Sequence, residues 1–128
     1  TMKKLTPVLF VDEIEPCLEF WVKRLGFQKT VEVPEGDKLG FVILVRDNIE
    51  VMLQSRASLA KDIPALAKGP LAPTFLYIEV ADLDEIARRL DGVEVVVPRR
   101  KTFYGALEIG VREPGGHVVT FAQFAAQQ

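Results

Sequence analysis

The sequence predicts an α+β fold in which two βαβββ repeats form a cupped mixed sheet. Three observations carry the prediction. Residues 6–27 and 75–95 resemble each other along their length. Each segment opens with a β-prone apolar run and passes through acidic residues into a helical pattern. Each is then followed by three more strand-like runs.

The elements follow in chain order. The first segment, "TPVLFVDEIEPCLEFWVKRLGF", places Ile14, Cys17, Leu18 and Trp21 at i, i+3, i+4 and i+7, one face of an amphipathic helix. An offset of 69 residues sets these positions on Leu83, Ile86, Ala87 and Leu90 of "FLYIEVADLDEIARRLDGVEV". Asp82 with Glu85 reads as a capping box, and Asp12 with Glu15 as a similar start signal. Gly26 and Gly92 stand where each helix should stop. "FQKTVEV", "LGFVILV" and "IEVMLQS" supply the first three following strands, separated by the turn signals "PEGD" and "RDN". "VEVVVP", "ALEIGV" and "HVVTFAQF" supply the second set, with "EPGG" as the last turn. "RASLAKDIPALAKGPLAP" lies between the halves as a linker with room for a short helix. The expected organisation is a single domain over residues 1–128, with repeat one over 5–55, the linker over 56–73 and repeat two over 74–124. An unrelated α+β sandwich is the alternative.

Composition narrows the function. The chain has 128 residues, 48% hydrophobic and 27% charged, an ordinary globular mix for one domain. The net charge of −2 gives no electrostatic reason to expect nucleic acid, and "PRRK" reads as a solvated loop. Cys17 is alone and sits on the apolar helix stripe, so it is expected to be inert packing. That usage, and an N-terminal "TMKKLTPV" without an apolar signal core, predict a cytoplasmic protein. No run is apolar and long enough to span a membrane. There is no Gly-rich phosphate loop, no G-x-S-x-G and no suggestive Cys–His pair.

Strand alternation predicts which side chains face the cup. Thr6, Val8 and Phe10 should share that face on strand one, and Phe75, Tyr77 and Glu79 on strand five. Strand four should contribute Ile49, Val51 and Leu53, and strand eight Val118, Thr120 and Ala122. The result is an apolar, aromatic-bearing concavity suited to a flat or hydrophobic small molecule. Glu79 is the one inward carboxylate of this set; near aromatics, such a group can be raised in pKa and act as a base.

"EFWVKRLGF", "YIEVADLDE" and "REPGGHVVTF", in this order and duplicated, resemble the vicinal oxygen chelate superfamily over residues 5–124. That superfamily includes glyoxalase I, extradiol dioxygenases, and fosfomycin and bleomycin resistance proteins. The resemblance implies the glyoxalase/bleomycin resistance-like fold. Metal-dependent members hold a divalent ion at four positions, which fall here on Thr6, Val51 (or Glu50 in a register one residue different), Phe75 and Thr120. None of the first-choice residues is a usual ligand, so no metal and no cofactor are expected, and the catalytic residues are unknown. His117 stands where the family often has Asn. At a turn tip it is expected to be exposed or bonded to the turn backbone. "KTFYGALE" resembles the family's mobile loop before strand seven, from which Phe103 and Tyr104 would close over a ligand.

The expected function is therefore metal-independent binding or sequestration of a small, partly aromatic or hydrophobic molecule, an antibiotic being one candidate. Its ligand-facing residues would be Thr6, Phe10, Val51, Phe75, Tyr77, Glu79, Phe103, Tyr104 and Thr120. The near-neutral balance argues against a cationic drug such as bleomycin. The family's habits and the short sheets imply a homodimer. The alternatives are a superfamily lyase, isomerase or dioxygenase with an atypical metal site, recruiting Glu50, Glu79, Glu108 or His117, and a protein-interaction module.

Overall fold

The structure is a computed structural model that describes residues 1–125. Packing divides the chain between Ala72 and Pro73 into two units. Each unit carries one four-stranded mixed sheet, and the expected βαβββ order is present in both.

In the first unit the strands are β1 (Val8–Val11), β2 (Gln28–Glu35), β3 (Lys38–Arg46) and β4 (Ile49–Ser55), in the order β1-β4-β3-β2. β1 runs parallel to β4, and the other pairs are antiparallel. The buried face takes Leu9 and Val11 from β1, Val42 and Leu44 from β3, and Val51 and Leu53 from β4. Helix α1 (Glu15–Leu18) continues directly into π-helical turns over Glu19–Arg24. The wide turn changes which residues face the sheet. Leu25 N–H donates to the Phe20 carbonyl (3.1 Å), a one-residue expansion of the α spacing. Phe20 and Trp21 are therefore both fully buried, edge to face at 5.2 Å, while Leu18 is only half-buried. A strict 3.6-residue period had assigned Leu18 to the core and omitted Phe20. Phe27 closes the cluster on the other side of Trp21, also at 5.2 Å.

The start of this helix also differs from the expected cap. Asp12 pairs with Arg56 (2.8 Å) and Glu15 accepts from Leu39 N–H (2.7 Å), so neither side chain caps the helix. Pro16, whose ring fixes φ in the helical range, opens it instead. At the far end, Gly26 takes φ 75°, and Arg46 Nη1 donates to the Leu25 carbonyl at 2.5 Å. The expected linker forms helix α2 (Arg56–Asp62), capped by Ser55 Oγ on Ser58 N–H, followed by one 3₁₀ turn over Pro64–Leu66. Leu59 is fully buried, so this segment packs as part of the first unit.

In the second unit the strands are β5 (Phe75–Glu79), β6 (Val95–Lys101), β7 (Ala106–Arg112) and β8 (Val118–Phe124), in the order β5-β8-β7-β6. β5 is parallel to β8. Helix α3 (Leu83–Arg89) begins at Asp82, whose carboxylate accepts from Glu85 N–H (3.3 Å) as the capping box requires. Gln123 Oε1 also accepts from Leu83 N–H at 2.8 Å, fixing the helix start to β8. Val119 and Phe121 of β8 turn to the buried side with Leu83 and Ile86. Pro34 and Pro98 lie in β2 and β6, each an outer strand, where the missing N–H costs no ladder bond. No helix among the described residues is long and apolar enough to cross a membrane.

Trp21→Ala removes the ring that both Phe20 and Phe27 pack against. It is expected to destabilise the fold by about 3–5 kcal/mol, read as a lower midpoint in chemical denaturation.

Candidate functional site

The second sheet places its functional side chains by rungs. Pairing aligns Glu79 with Ala122, Ala122 with Glu108, and Glu108 with Arg100 across the four strands. The neighbouring rung runs Tyr77, Thr120, Gly110, Val97. All of these side chains belong to the face opposite α3. The small residues at Ala122 and Gly110 leave room between the outer strands. A Cβ at Gly110 would come within 2.8 Å of Thr120 Oγ1 and 2.9 Å of Val97 Cβ. Long side chains from β5, β6 and the β6–β7 turn converge into that room.

They converge on Glu108. Its side chain is 1% exposed. Oε2 accepts hydrogen bonds from the hydroxyls of Tyr77 and Tyr104, the latter at 2.5 Å. Oε1 accepts from Arg100 Nε at 3.1 Å. A buried carboxylate is costly without such donors, since several kcal/mol of hydration are lost, on the order of the penalty for any desolvated ion. Burial alone would raise the Glu108 pKa. The hydrogen bonds from Tyr104, Tyr77 and Arg100 and the Arg100 charge outweigh it and hold the carboxyl below the usual range. Loss of water around its hydroxyl, then the bond to Glu108, pushes the Tyr77 phenol above the ordinary tyrosine range. The cluster thus holds an ionised carboxylate and a firmly protonated phenol.

The same face and the turn beside it carry exposed aromatic rings. Phe75 is 72% and Tyr77 51% exposed, and Phe124 is also exposed. The Tyr104 ring lies 6.4 Å from that of Phe124, and Phe103, fully exposed, meets Tyr104 edge-on at 5.0 Å. The loop carrying Phe103 and Tyr104 is a tight hairpin turn. Thr102 N–H donates to the Ala106 carbonyl (2.8 Å), Ala106 N–H donates to Thr102 Oγ1 (3.0 Å), and Gly105 takes φ 89°. Two bonds across the turn and the Tyr104–Glu108 bond fix its geometry.

Of the expected site residues, Phe75, Tyr77 and Thr120 share this face with the carboxylate cluster, and Tyr104 reaches it from the turn. Glu79 is exposed at the end of β5. The carboxylate set among aromatics is Glu108, which sequence reasoning held only as an alternative recruit. Its signal was present: "YGALE" puts Tyr104 and Glu108 four residues apart across a hairpin, and β7 alternation sets Glu108 on the face of Thr120.

In the first unit the strand-four face needs correction. β1 and β4 pair Val8 with Met52 and Phe10 with Gln54. Val51, 2% exposed, and Leu53 therefore point into the core with Leu9 and Val11, and Ile49 shares their alternation. One residue of register turns every side chain to the other face. The residues beside Thr6, Val8 and Phe10 are Glu50, Met52 and Gln54. Glu50 Oε1 accepts from Thr6 Oγ1 (3.0 Å) and pairs with Lys4 Nζ (2.9 Å). Those bonds, from Lys4 first and Thr6 second, hold the Glu50 carboxyl below its usual range. Phe10 is half-buried on the same face.

The residues do not fit a divalent-ion site of the family type. Thr6, Phe75 and Thr120 offer at most neutral hydroxyls, and the one carboxylate, Glu50, is already bonded to an ammonium and a hydroxyl. Among the described residues no group of three or more His, Cys, Asp or Glu is placed to hold a metal. His117 is also corrected: it is 1% exposed, not a solvent-facing turn tip. Its Nδ1 accepts from Thr74 N–H (2.9 Å) and its own N–H donates to Glu113 Oε1 (2.9 Å), joining the last turn to the start of β5. A hollow of about 150 Å³ in the first unit is lined by Asp12, Glu13, Glu15 and Glu35. Those carboxylates are bonded to Arg56, Lys38, Leu39 N–H and Lys61 respectively, a structural role.

Residues 4–121 match the Glyoxalase/Bleomycin resistance protein/Dioxygenase superfamily, and the chain belongs to it. Among solved structures, TnmS3, an antibiotic binding protein from Streptomyces sp. CB03234, is similar at 18% identity and TM-score 0.73, over 97% of this chain and 98% of that one. A bleomycin-binding protein from bleomycin-producing Streptomyces verticillus, complexed with copper(II)-bleomycin, is similar at 24% identity and TM-score 0.64, over 99% and 98%. A lactoylglutathione lyase from Agrobacterium tumefaciens is similar at 14% identity and TM-score 0.75, over 96% and 94%. No curated protein sequence matches significantly.

Glu108→Gln is expected to cost about 1–3 kcal/mol at neutral pH, the penalty for disrupting a satisfied buried polar group. The folded carboxyl is depressed, so its contribution is present above the ordinary carboxylate range and disappears as pH falls through the folded value. The wild-type advantage over Glu108→Gln should therefore shrink in acid. For Tyr77 the sign is opposite: a raised phenol stabilises below the ordinary tyrosine range and loses that contribution as pH rises through the folded value. Ultraviolet titration should show a delayed tyrosinate step that Tyr77→Phe abolishes. Denaturation midpoints across pH check both signs.

Proposed function

We propose that the protein binds a small, partly aromatic molecule on the open face of its second sheet and sequesters it without metal chemistry. One observation carries the reading: the sheet face that bears the exposed rings of Phe75, Tyr77 and Phe124 also holds a buried Glu108 bonded by Tyr77, Tyr104 and Arg100. Aromatic surfaces with a small number of fixed polar groups suit planar ligands. Similarity to an antibiotic-binding and a bleomycin-binding protein supports sequestration, with an antibiotic as one ligand class. A metal-dependent lyase or dioxygenase is disfavoured by the chemistry of Thr6, Phe75 and Thr120 at the family's ligand positions.

Phe10 and Thr6, on the open face of the first sheet, are proposed as further ligand contacts, as is Phe103 at the turn tip. A homodimer is part of the same proposal, because exposed Val31 and Val33 on β2 leave apolar surface that a second copy would cover. The whole chain would act as one domain in the cytoplasm.

Calorimetric titration with a panel of planar aromatic antibiotics tests the binding. Phe75→Ala should lower affinity for any compound that binds by about 1–3 kcal/mol while leaving the denaturation midpoint nearly unchanged, since its ring lies largely in water. Absence of binding across the panel, or equal binding by Phe75→Ala, would sink the assignment. Light scattering at micromolar concentration is expected to give twice the chain mass; a single-chain mass would remove the dimer.

A further inference from the structure

We propose that the outer edge of the Arg100 guanidinium is the polar contact this face offers a ligand, and that it takes the carboxylate of a planar aryl acid. The proposal rests on the small-molecule reading above and names the ligand class. "PRRK" does not form the solvated loop that its charge suggested; Pro98, Arg99, Arg100 and Lys101 belong to β6. Strand alternation sends the two arginines to opposite faces. Arg99 Nη2 donates to Asp84 Oδ1 of α3 at 2.6 Å. Arg100 turns to the other face and gives one side of its fork to Glu108, with Nε and Nη2 each 3.1 Å from Oε1. A guanidinium has five N–H donors, and this grip engages one side only. Among the described residues nothing is bonded to Nη1, and the Arg100 side chain is 58% exposed whereas that of Glu108 is 1% exposed. The Nη1–Nη2 edge, turned away from Glu108, is therefore the open end of the cluster.

Two parallel N–H groups on a planar fork match the two oxygens of a carboxylate. Glu108 holds the fork in place before a ligand arrives, so less side-chain freedom is lost on binding. Its own charge lies on the inner side of the guanidinium, farther from an incoming anion than the cation is, and Coulomb interaction falls with distance. Glu79, which shares the rung, stands on β5 at the opposite edge of the sheet, three strand spacings or about 14 Å away and beyond the screening length at physiological salt. Arg112 of β7 does not compete for the role. It spends Nε on Glu94 (2.9 Å) and Nη1 on the Gly116 carbonyl (3.3 Å), which leaves it no open two-nitrogen edge. The ring of the ligand has its place from the same carboxylate. The Tyr104 hydroxyl reaches Oε2 while Arg100 reaches Oε1, so one carboxylate and two hydrogen bonds separate them. The Tyr104 ring is partly exposed and lies 6.4 Å from that of Phe124. An aryl acid, whose carboxylate is one bond from its ring, spans the short distance from these rings to Arg100.

The test uses 2-naphthoate and its methyl ester, two planar probes that share a ring system and differ in charge. Both are titrated into the full chain at neutral pH, with binding followed by naphthyl fluorescence. The native chain is expected to bind the acid at least about tenfold more tightly, the scale of a hydrogen bond to a charged group. Arg100→Gln should remove that preference and leave the affinity for the ester nearly unchanged. Arg100→Lys, which keeps a cation for Glu108 but has no fork, should lose most of the preference. Circular dichroism checks that each variant folds. A second measurement needs no variant. Phenylglyoxal attacks the two terminal nitrogens of an accessible arginine, and peptide mass spectrometry locates the adduct. Arg100 should react in the free chain and be protected by 2-naphthoate but not by the ester. Equal affinity for the two probes, a preference that survives in folded Arg100→Gln, or an Arg100 that 2-naphthoate does not protect overturns the role of Arg100 and leaves the binding face standing. Failure of both probes to bind overturns the binding face and the role together.

Discussion

The second half of this protein is organised by one charge that water cannot reach. Glu108 lies under two phenols and a guanidinium, and every nearby choice of residue serves that burial. Ala122 and Gly110 are small so that partners on either side can lean in. Thr102 clasps the hairpin so that Tyr104 hangs over the carboxylate. Arg100 stands on β6 at the paired position. Without any one donor the ion would be partly unpaired in a dry setting, which is more costly than having no charge there at all. The Tyr77 and Tyr104 rings are thereby held in place by the bonds beneath them.

The two repeats show how far a shared plan can diverge. Both have the parallel first-to-last strand pair, a helix between the first and second strands and the same strand order. The first half uses its polar groups at the sheet periphery, where Lys4, Thr6 and Glu50 form a water-facing chain. The second half drew its carboxylate inward and bonded two phenols to it. Helix geometry diverged too. One repeat starts from an aspartate cap and keeps α spacing, and the other starts from a proline and widens into π turns that admit an additional aromatic ring.

Much of this was legible in the sequence. Strand positions and turns followed from apolar runs and from Gly and Pro punctuation, and the Asp82 cap from its spacing to Glu85. The faces of β1, β5 and β8 followed from alternation. Four features were not legible, each for a physical reason. The π expansion breaks the helical period without any residue that signals it, so Phe20 was missed and Leu18 overvalued. The face of β4 depends on inter-strand pairing, a non-local property, so Val51 was set outward when Glu50 and Met52 stand there. Glu108 needed the hairpin register to be known before its distance from Tyr77, 31 positions away, had meaning. His117, expected to be exposed or bonded to the turn backbone, is instead buried with its ring bonded to Thr74 N–H, a partner 43 positions away that no local pattern announces.

The exposed ring of Phe103 has an evolutionary reading. Among the described residues its one ring contact is with Tyr104, at the tip of a turn whose own bonds come from Thr102, Gly105 and Ala106. Replacing such a surface residue changes stability by only a few tenths of a kcal/mol, roughly the noise of a fold's reserve. Variation at that position is therefore nearly free of folding constraint, whereas variation one residue later strikes the buried ion. The hairpin separates a freely mutable tip from an anchored base. A lineage meeting new chemical challenges can sample side chains at the tip in single steps, with each intermediate still folded.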